Sequence, residues 1–358
     1  MAKKIIVALF AVLLFCFSVF AHGEEAGERP ENLFEVTLKE VRFNITPSFK
    51  FVLPDTFARM LIRQHIGKTV LEADTFYNYI YSEMKYKLRY ILEFEYPVAL
   101  SLYDEINFEK KYEDNSYLQR NKGIGFTFQT PEYFGFLTLR QQIKYENIYF
   151  SQLETVMTAE DNNNFMLTTF AGFHFRDEKG RTDLYTDISL EKAIPHDLSP
   201  INFLFMNCSF LKVFRMGRTR QFSLRAELGY EFEGHVVPIW KKYLMGGYDR
   251  MMGYNYDTLQ GNNKFFTRWK LDFLLGENTG WELPMLQFAN VNSFIVTDIG
   301  VVGGKEDFID ASKYNISFGL GLIFHAVFRG KTKMKITVAI AQPIEEGMWP
   351  MFYFVHEI

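Results

Sequence analysis

The chain has few cysteines and no obvious catalytic or metal-binding pattern. Its 358 residues include only two cysteines, Cys16 and Cys208. Cys16 lies in an apolar N-terminal stretch, so removal of that stretch leaves Cys208 alone and excludes an intramolecular disulfide. The seven histidines are scattered without metal-ligand spacing, and the Gly-x-Ser-x-Gly turn of a serine hydrolase does not occur. We therefore predict a protein that is not an enzyme, with no catalytic residues, no metal site and no cofactor.

The N-terminus has the pattern of a secretory signal peptide. Lys3 and Lys4 precede an apolar run over residues 5–21, and a polar stretch follows that run at once. This order is typical of a segment that is cleaved on export, so we predict a signal peptide over residues 1–21. One alternative is an uncleaved anchor, which the shortness of the run disfavours. The other is lipidation at Cys16, which the bulky Phe15 before it disfavours.

Long apolar runs and excess positive charge are also missing from the rest of the chain. After residue 21 no apolar run approaches the roughly 18 residues that a membrane-spanning helix needs. Loss of Lys3 and Lys4 changes the formal net charge from −4 to −6, which argues against nucleic acid as a partner. Aromatic residues are abundant, at 17%, although the mean hydropathy is only −0.10. This combination is typical of a transmembrane β-barrel, in which outward apolar and inward polar residues average out.

Long alternating segments separate a barrel from a secreted β-sandwich, which is the competing class. In residues 84–96, MKYKLRYILEFEY, apolar residues occupy one face and charged residues almost all of the other. An alternation of this length indicates a tilted membrane-spanning strand of about 9–11 residues, whereas sandwich strands are nearer 5–6. Similar segments separated by short turns and longer loops follow to the C-terminus. We therefore predict an all-β fold, a transmembrane antiparallel up-and-down β-barrel, over residues 76–358.

The region before the barrel is harder to interpret. Residues 34–45 have a strand-like pattern, and residues 55–67 begin with a capping Asp55 and show helix-like spacing of Phe57, Leu61 and Ile62. We therefore predict a short N-terminal lead-in over residues 22–75, with a helix and a strand. The alternative is that this region contributes the first strands of the barrel.

A glycine-rich and apolar segment lies between two predicted strands, 221–234 and 264–275. It contains the glycine pair Gly246-Gly247 and, after a short spacer, Met251-Met252-Gly253-Tyr254. The segment resembles the sixth-loop signature of the BamA/TamA and two-partner-secretion transporter superfamily, also called the bacterial surface antigen family. Downstream, the Asp-x-Gly strand FIVTDIGVVGG and the terminal MFYFVHEI resemble later elements of that family in the same order, so the match covers roughly residues 160–358.

The resemblance implies a barrel of about 16 strands or fewer, with a long loop folded into the lumen. Three groups of residues follow from it: a lumenal loop motif of Gly246, Gly247, Arg250, Met251, Met252, Gly253 and Tyr254; a barrel-wall partner formed by Asp298 and Gly300; and a C-terminal assembly signal of Phe352, Phe354 and Ile358. The family has an arginine where this chain has Met252, and a buried arginine needs a carboxylate partner. Either Arg250 takes over that role and meets Asp298, or the loop docks by packing Met251, Met252 and Tyr254.

The resemblance also implies a function in the bacterial outer membrane, either insertion of outer-membrane proteins or passage of polypeptide across the membrane. The expected partners are outer-membrane lipids and unfolded outer-membrane or secreted client proteins. A separate periplasmic partner is a further expectation, because residues 22–75 are too few for an array of POTRA (polypeptide-transport-associated) domains. The alternative is a passive channel or structural barrel that kept the fold without the assembly activity, since fold does not fix function.

Overall fold

A computed structural model gives the three-dimensional structure. The residues that it describes are 34–38, 41–53, 57–67, 69–78, 83–93, 98–112, 115–130, 132–152, 162–176, 182–195, 201–234, 241–255, 258–277, 279–283, 286–328, 332–345 and 347–357. The predicted signal peptide over residues 1–21 and the terminal Ile358 lie outside them. Among these residues, no helix is both long and apolar enough to cross a membrane.

The described residues form twenty β-strands and two short 3-10 helices at 306–308 and 311–313. The strands are β1 (Phe34–Leu38), β2 (Val41–Leu53), β3 (Phe57–Ile66), β4 (Thr69–Asn78), β5 (Glu83–Glu93), β6 (Val98–Tyr112), β7 (Asn115–Gln129), β8 (Leu137–Gln152), β9 (Asn162–Arg176), β10 (Thr182–Ile194), β11 (Phe203–Met216), β12 (Arg220–Gly234), β13 (Tyr243–Met245), β14 (Leu259–Gly261), β15 (Asn263–Glu277), β16 (Glu282–Leu283), β17 (Leu286–Gly303), β18 (Asn315–Phe328), β19 (Thr332–Pro343) and β20 (Met351–Glu357).

Most of these strands pair in a ring. Each strand from β2 to β12 is antiparallel to the next, and the order continues through β15, β17, β18, β19 and β20. Strand β20 then pairs back onto β2, so the eleven strands β2–β12 and the five that follow close a sixteen-stranded barrel. Outside the ring, β1 pairs with the start of β2, β16 with the start of β17, and β13 with β14. The predicted antiparallel up-and-down β-barrel is confirmed.

Alternation of side chains explains why these segments are strands. On β5, Leu88 and Tyr90 point outward and are exposed, while Arg89 between them points inward and binds the buried Glu72 of β4. On β20 the outward Phe352 alternates with the buried Tyr353. A period of two places apolar side chains on the lipid face and polar ones in the lumen, which is the pattern of a membrane barrel.

The predicted helix over residues 55–67 is wrong. Residues Phe57–Ile66 form strand β3, which pairs along its whole length with β4 on one side and with β2 on the other. The spacing of Phe57, Leu61 and Ile62 fits a helix locally, but a strand with both edges paired satisfies its backbone groups within the sheet. Strands β2, β3 and most of β4 thus lie in the region expected as a lead-in.

The two ends of the barrel differ. At the end where β20 finishes, which we call the turn end, three residues connect β11 to β12 and three connect β18 to β19. At the opposite end, which we call the loop end, 28 residues (235–262) separate β12 from β15, and eleven (304–314) separate β17 from β18. The long 235–262 connection contains the glycine-rich motif.

Candidate functional site: a lumenal loop on the barrel wall and seam

The glycine-rich motif is the tip of a small hairpin. Strands β13 and β14 pair through three residue pairs and form its stem. The tip has left-handed backbone conformations at Gly246 (φ 138°), Gly247 (φ 85°) and Gly253 (φ 92°), which glycine adopts without a steric penalty. Met251 adopts φ 63°, a conformation that is uncommon for a residue with a side chain. The N–H of Gly247 donates to the carbonyl of Tyr254 at 3.0 Å and closes the tip.

The tip is packed inside the barrel. Met251 and Tyr254 are buried in a cluster with Met245 and with Phe266 of β15. Met252 is buried in a second cluster that includes Phe294 and Val296 of β17 and Tyr353 of β20. Methionine fills irregular gaps well because its unbranched side chain is flexible. Burial also raises the pKa of the Tyr254 hydroxyl, so this group stays neutral in the packed loop.

A buried carboxylate on β17 holds the backbone of the loop. Asp298 is only 1% exposed, and its Oδ2 accepts a hydrogen bond of 2.8 Å from the Met252 N–H. Arg268, directly opposite on β15, binds both oxygens, with Nε–Oδ1 and Nη2–Oδ2 distances of 2.7 Å. The same Nη2 donates to the Tyr248 carbonyl at 3.0 Å. A bidentate pair with additional hydrogen bonds is the arrangement that makes a buried carboxylate tolerable.

The structure places Arg250 away from Asp298. Its Nε lies 3.4 Å from Glu227 Oε2 on β12, and the same oxygen accepts a hydrogen bond of 2.6 Å from Lys264 Nζ. The expected pair between Arg250 and Asp298 is therefore wrong, because Arg268 already occupies both oxygens of Asp298. The second predicted arrangement, docking of the loop through Met251, Met252 and Tyr254, agrees with the burial of these three side chains. The functional role of the motif stays a prediction.

Two glycines allow the close approach of loop and wall. A Cβ at Gly300 would lie 2.8 Å from Met245 Cε, so β17 needs a glycine where the stem of the loop crosses it. A Cβ at Gly253 would lie 3.0 Å from Pro343 Cδ. The Gly253 N–H donates to the Tyr353 hydroxyl at 2.7 Å, which ties the loop to the last strand. Tyr353 and Arg268 were not among the predicted site residues, although alternation with outward neighbours points both side chains into the lumen.

We call the junction between the first and last ring strands, β2 and β20, the seam. Within the described residues, strands β2 and β20 share four residue pairs, from Lys50↔Glu357 to Leu53↔Phe354. Strands β17 and β18 share fourteen. Phe352 and Phe354 of the predicted assembly signal are exposed on the outer surface of β20. The part of the seam that the structure describes therefore has fewer residue pairs than the β17–β18 junction.

The loop covers the inner side of this seam. Val52 of β2 and Val355 of β20 form one of the seam's residue pairs, and both are buried. Tyr248 of the loop packs against them and places its ring 5.8 Å from the Tyr353 ring. Burial raises the pKa of the Tyr248 hydroxyl. The loop is therefore anchored on the wall at β15 and β17 and extends across the seam to β2.

Comparison with solved structures identifies the kind of barrel. No protein-family model and no curated protein sequence matches this chain. The chain is similar to BamA from Haemophilus ducreyi lacking POTRA domains 1–3, with a TM-score of 0.68 at 14% identity over 90% of this chain and 74% of that one. CdiB from Acinetobacter baumannii has a TM-score of 0.59 at 12% identity, over 89% and 60% of the two chains. CdiB from Escherichia coli also has a TM-score of 0.59, at 10% identity, over 89% and 67%.

These similarities, together with the lumenal loop, define the class of the protein. It has the fold of the BamA-type outer-membrane β-barrels, as the resemblance of its loop motif implies. At sequence identities of 10–14%, this similarity shows the fold of the protein but not its activity. The chain spans 60% of the length of the Acinetobacter baumannii CdiB.

Proposed function

We propose that this protein is exported through a cleaved signal peptide to the bacterial outer membrane, where it assists the insertion of outer-membrane proteins or the passage of polypeptide. The observation that supports this proposal most directly is the seam, where four described residue pairs join β2 to β20 and the lumenal loop packs against the inner side. A junction at which a loop on the β20 side also contacts the first strand suits a barrel that must admit another chain sideways.

The mechanism that we propose is physical, without covalent chemistry. Opening of the seam exposes the edges of β2 and β20, and unpaired strand edges add further strands readily. Cross-strand residue pairs contribute about 0.2–1 kcal/mol each, so four pairs correspond to about 1–4 kcal/mol. The β17–β18 junction, with fourteen pairs, is stronger by the same measure. We therefore expect the ring to open at the seam rather than at the β17–β18 junction.

The expected partners follow from this mechanism. An unfolded outer-membrane or secreted protein supplies the strand that pairs at the open seam. A separate periplasmic protein delivers it to the turn end. Outer-membrane lipids surround the apolar outer face, on which Ile295, Phe318 and Leu320 are among the exposed side chains.

A passive channel or structural barrel is the second candidate. The observation that favours it is Met252, which stands where the related family has an arginine. Arg268 supplies a guanidinium at Asp298 from the wall, so the loop is docked without the arginine of the motif. The two candidates therefore share one structure and differ in whether the seam opens to clients.

An insertion assay separates these two candidates. Purified protein in lipid vesicles is mixed with an outer-membrane barrel protein diluted from urea, and folding of that client is followed by its heat-modifiable gel mobility. We expect client folding to be several-fold faster than in vesicles without the protein. Locking the seam with a Phe51→Cys/His356→Cys disulfide in a Cys208→Ser background removes the acceleration, and reduction restores it. Steady pore conductance in planar bilayers, without any acceleration of client folding, contradicts the proposal and supports the passive channel.

A further inference from the structure

We infer that Lys50 and Asp249 form an ionic latch that holds the seam closed. Lys50 is on the first ring strand, β2, and Asp249 is in the lumenal loop. Lys50 Nζ lies 2.7 and 2.8 Å from the two carboxylate oxygens of Asp249. It also lies 3.4 Å from Glu357 Oε1 on the last strand, β20. One ammonium group thus joins three separate elements: the first strand, the last strand and the loop.

The anchors of the loop decide which contacts break when the seam opens. The loop is held on β17 through the Met252 N–H and Asp298, and on β20 through the Gly253 N–H and Tyr353. Both anchors lie on the β20 side of the seam. Separation of β2 from β20 therefore pulls Lys50 away from Asp249 as well as from Glu357. Among the described side chains, the latch links β2 to the wall that carries the loop through charged groups.

Glu357 keeps a partner when the latch opens. Its Oε2 accepts a hydrogen bond of 2.8 Å from Lys335 Nζ on the neighbouring strand β19, on the same side of the seam. Asp249 and Lys50 are 54% and 23% exposed, so water is available to hydrate both charges after they separate. Opening of the latch therefore leaves no charged group buried without a partner or water. This is the condition for a reversible contact.

Solvent exposure also makes the latch sensitive to ionic strength. Exposed ion pairs are weak and are screened by salt, since the Debye length falls from about 10 Å at 0.1 M to about 3 Å at 1 M. The apolar contact between Tyr248 and the Val52–Val355 pair is not screened in this way. The ionic latch and the apolar contact can therefore be separated by experiment, because salt weakens the latch and leaves the apolar contact in place.

Lys50 and Asp249 are positioning residues, and their effect is measured at the seam. In the Cys208→Ser background, Val52→Cys on β2, which is buried beneath Tyr248 on the lumenal side of the seam, reports opening through its rate of labelling by a bulky water-soluble thiol reagent. Lys50→Met keeps the length of the side chain and removes its charge, and Asp249→Asn removes the opposite charge. Lys50→Arg restores a cation. Lys313→Met, in an exposed 3-10 helix at the loop end, is the matched control.

At low salt we expect Lys50→Met and Asp249→Asn each to speed labelling about two- to fivefold, the factor that one exposed ion pair supplies. Lys50→Arg and Lys313→Met remain at the parent rate. In 1 M salt the parent rises to the rate of the two latch variants, which themselves change little. All variants are first checked for unchanged heat-modifiable mobility, so that a faster rate reports the seam and not unfolding.

Two results overturn the inference: labelling rates equal to the parent for both latch variants, or a parent rate that does not respond to salt. The relevance of the latch to clients depends on the proposed function, but the labelling assay does not. Faster labelling without any acceleration of client folding retains the latch and rejects the proposed function. Client folding that depends on seam opening, with labelling unaffected by the latch variants, rejects the latch alone.

Discussion

The lumenal loop is held at two places by carboxylates with nearly the same geometry and very different surroundings. At the wall anchor, Asp298 and Arg268 form contacts of 2.7 Å, and these side chains are 1% and 14% exposed. At the seam latch, Asp249 and Lys50 form contacts of 2.7 and 2.8 Å, and they are 54% and 23% exposed. Asp249 lies only three positions before Met252, whose N–H binds Asp298.

Burial, and not distance, distinguishes the two contacts. Removal of one partner from a buried pair leaves an uncompensated charge where water cannot reach it, which is strongly destabilising. An exposed pair regains hydration and loses little. The same short loop is therefore fixed on one side of the seam and releasable on the other. This asymmetry is what a barrel with an opening seam requires.

The largest effect is expected at the wall anchor. Asp298→Asn leaves the guanidinium of Arg268 buried without its carboxylate, and we expect unfolding free energy to fall by about 3–5 kcal/mol. Urea unfolding in lipid vesicles, followed by tryptophan fluorescence, measures the loss. The expected sign is the same for Arg268→Met, which leaves Asp298 buried and unpaired.

The control for this prediction is a bidentate pair of the same chemistry in an exposed position. Arg59 binds Asp74 with distances of 2.9 and 2.7 Å, and Arg59 is 52% exposed. We expect Asp74→Asn to cost about 1 kcal/mol or less. Equal losses for Asp298→Asn and Asp74→Asn contradict the argument from burial.

The next largest effect tests the departure from the family motif at Met252. Met252→Arg places a second guanidinium beside Asp298, which Arg268 already neutralises, and it forces a longer side chain into a packed cluster. We expect a loss of about 3 kcal/mol in the same unfolding assay. The double variant Met252→Arg/Arg268→Met has one guanidinium again and recovers part of that loss. A stable single variant contradicts this prediction and shows that the site accepts an arginine from the loop.

The wall anchor also shows which parts of the site can be predicted from the sequence and which cannot. The ordered motifs placed the loop at Gly246–Tyr254 and its wall partner at Asp298, because each is a local pattern. Arg268 could not be assigned, since its position opposite Asp298 depends on the register of β15 and β17. The first barrel strands were predicted only as the alternative for residues 22–75, for a related reason: β3 has helix-like local spacing and becomes a strand through pairing with β2 and β4.

A smaller effect is expected at the turn that leads from the latch to the anchor. Gly253 has φ 92°, and its Cβ would lie 3.0 Å from Pro343 Cδ, so Gly253→Ala adds both backbone strain and a steric contact. We expect a loss of about 1–3 kcal/mol in unfolding free energy. Gly217→Ala is the control, because Gly217 has φ 73° and no other residue lies within 4 Å of its Cβ position. A greater loss for Gly217→Ala contradicts the close approach of the loop to Pro343.

The smallest effect on stability is expected at the seam latch. Asp249→Asn lowers unfolding free energy by about 1 kcal/mol or less at low salt, because Lys50 keeps Glu357 within 3.4 Å and both groups are hydrated. In 1 M salt the difference from the parent disappears, since screening removes what the substitution removed. The same unfolding assay measures both, with Asp298→Asn as the comparison, whose loss persists in salt because its site is buried. The contradicting result is a loss of unfolding free energy for Asp249→Asn that does not depend on salt and is as large as the loss for Asp298→Asn. In that case the loop is held as one rigid unit, and neither side of the seam can release it.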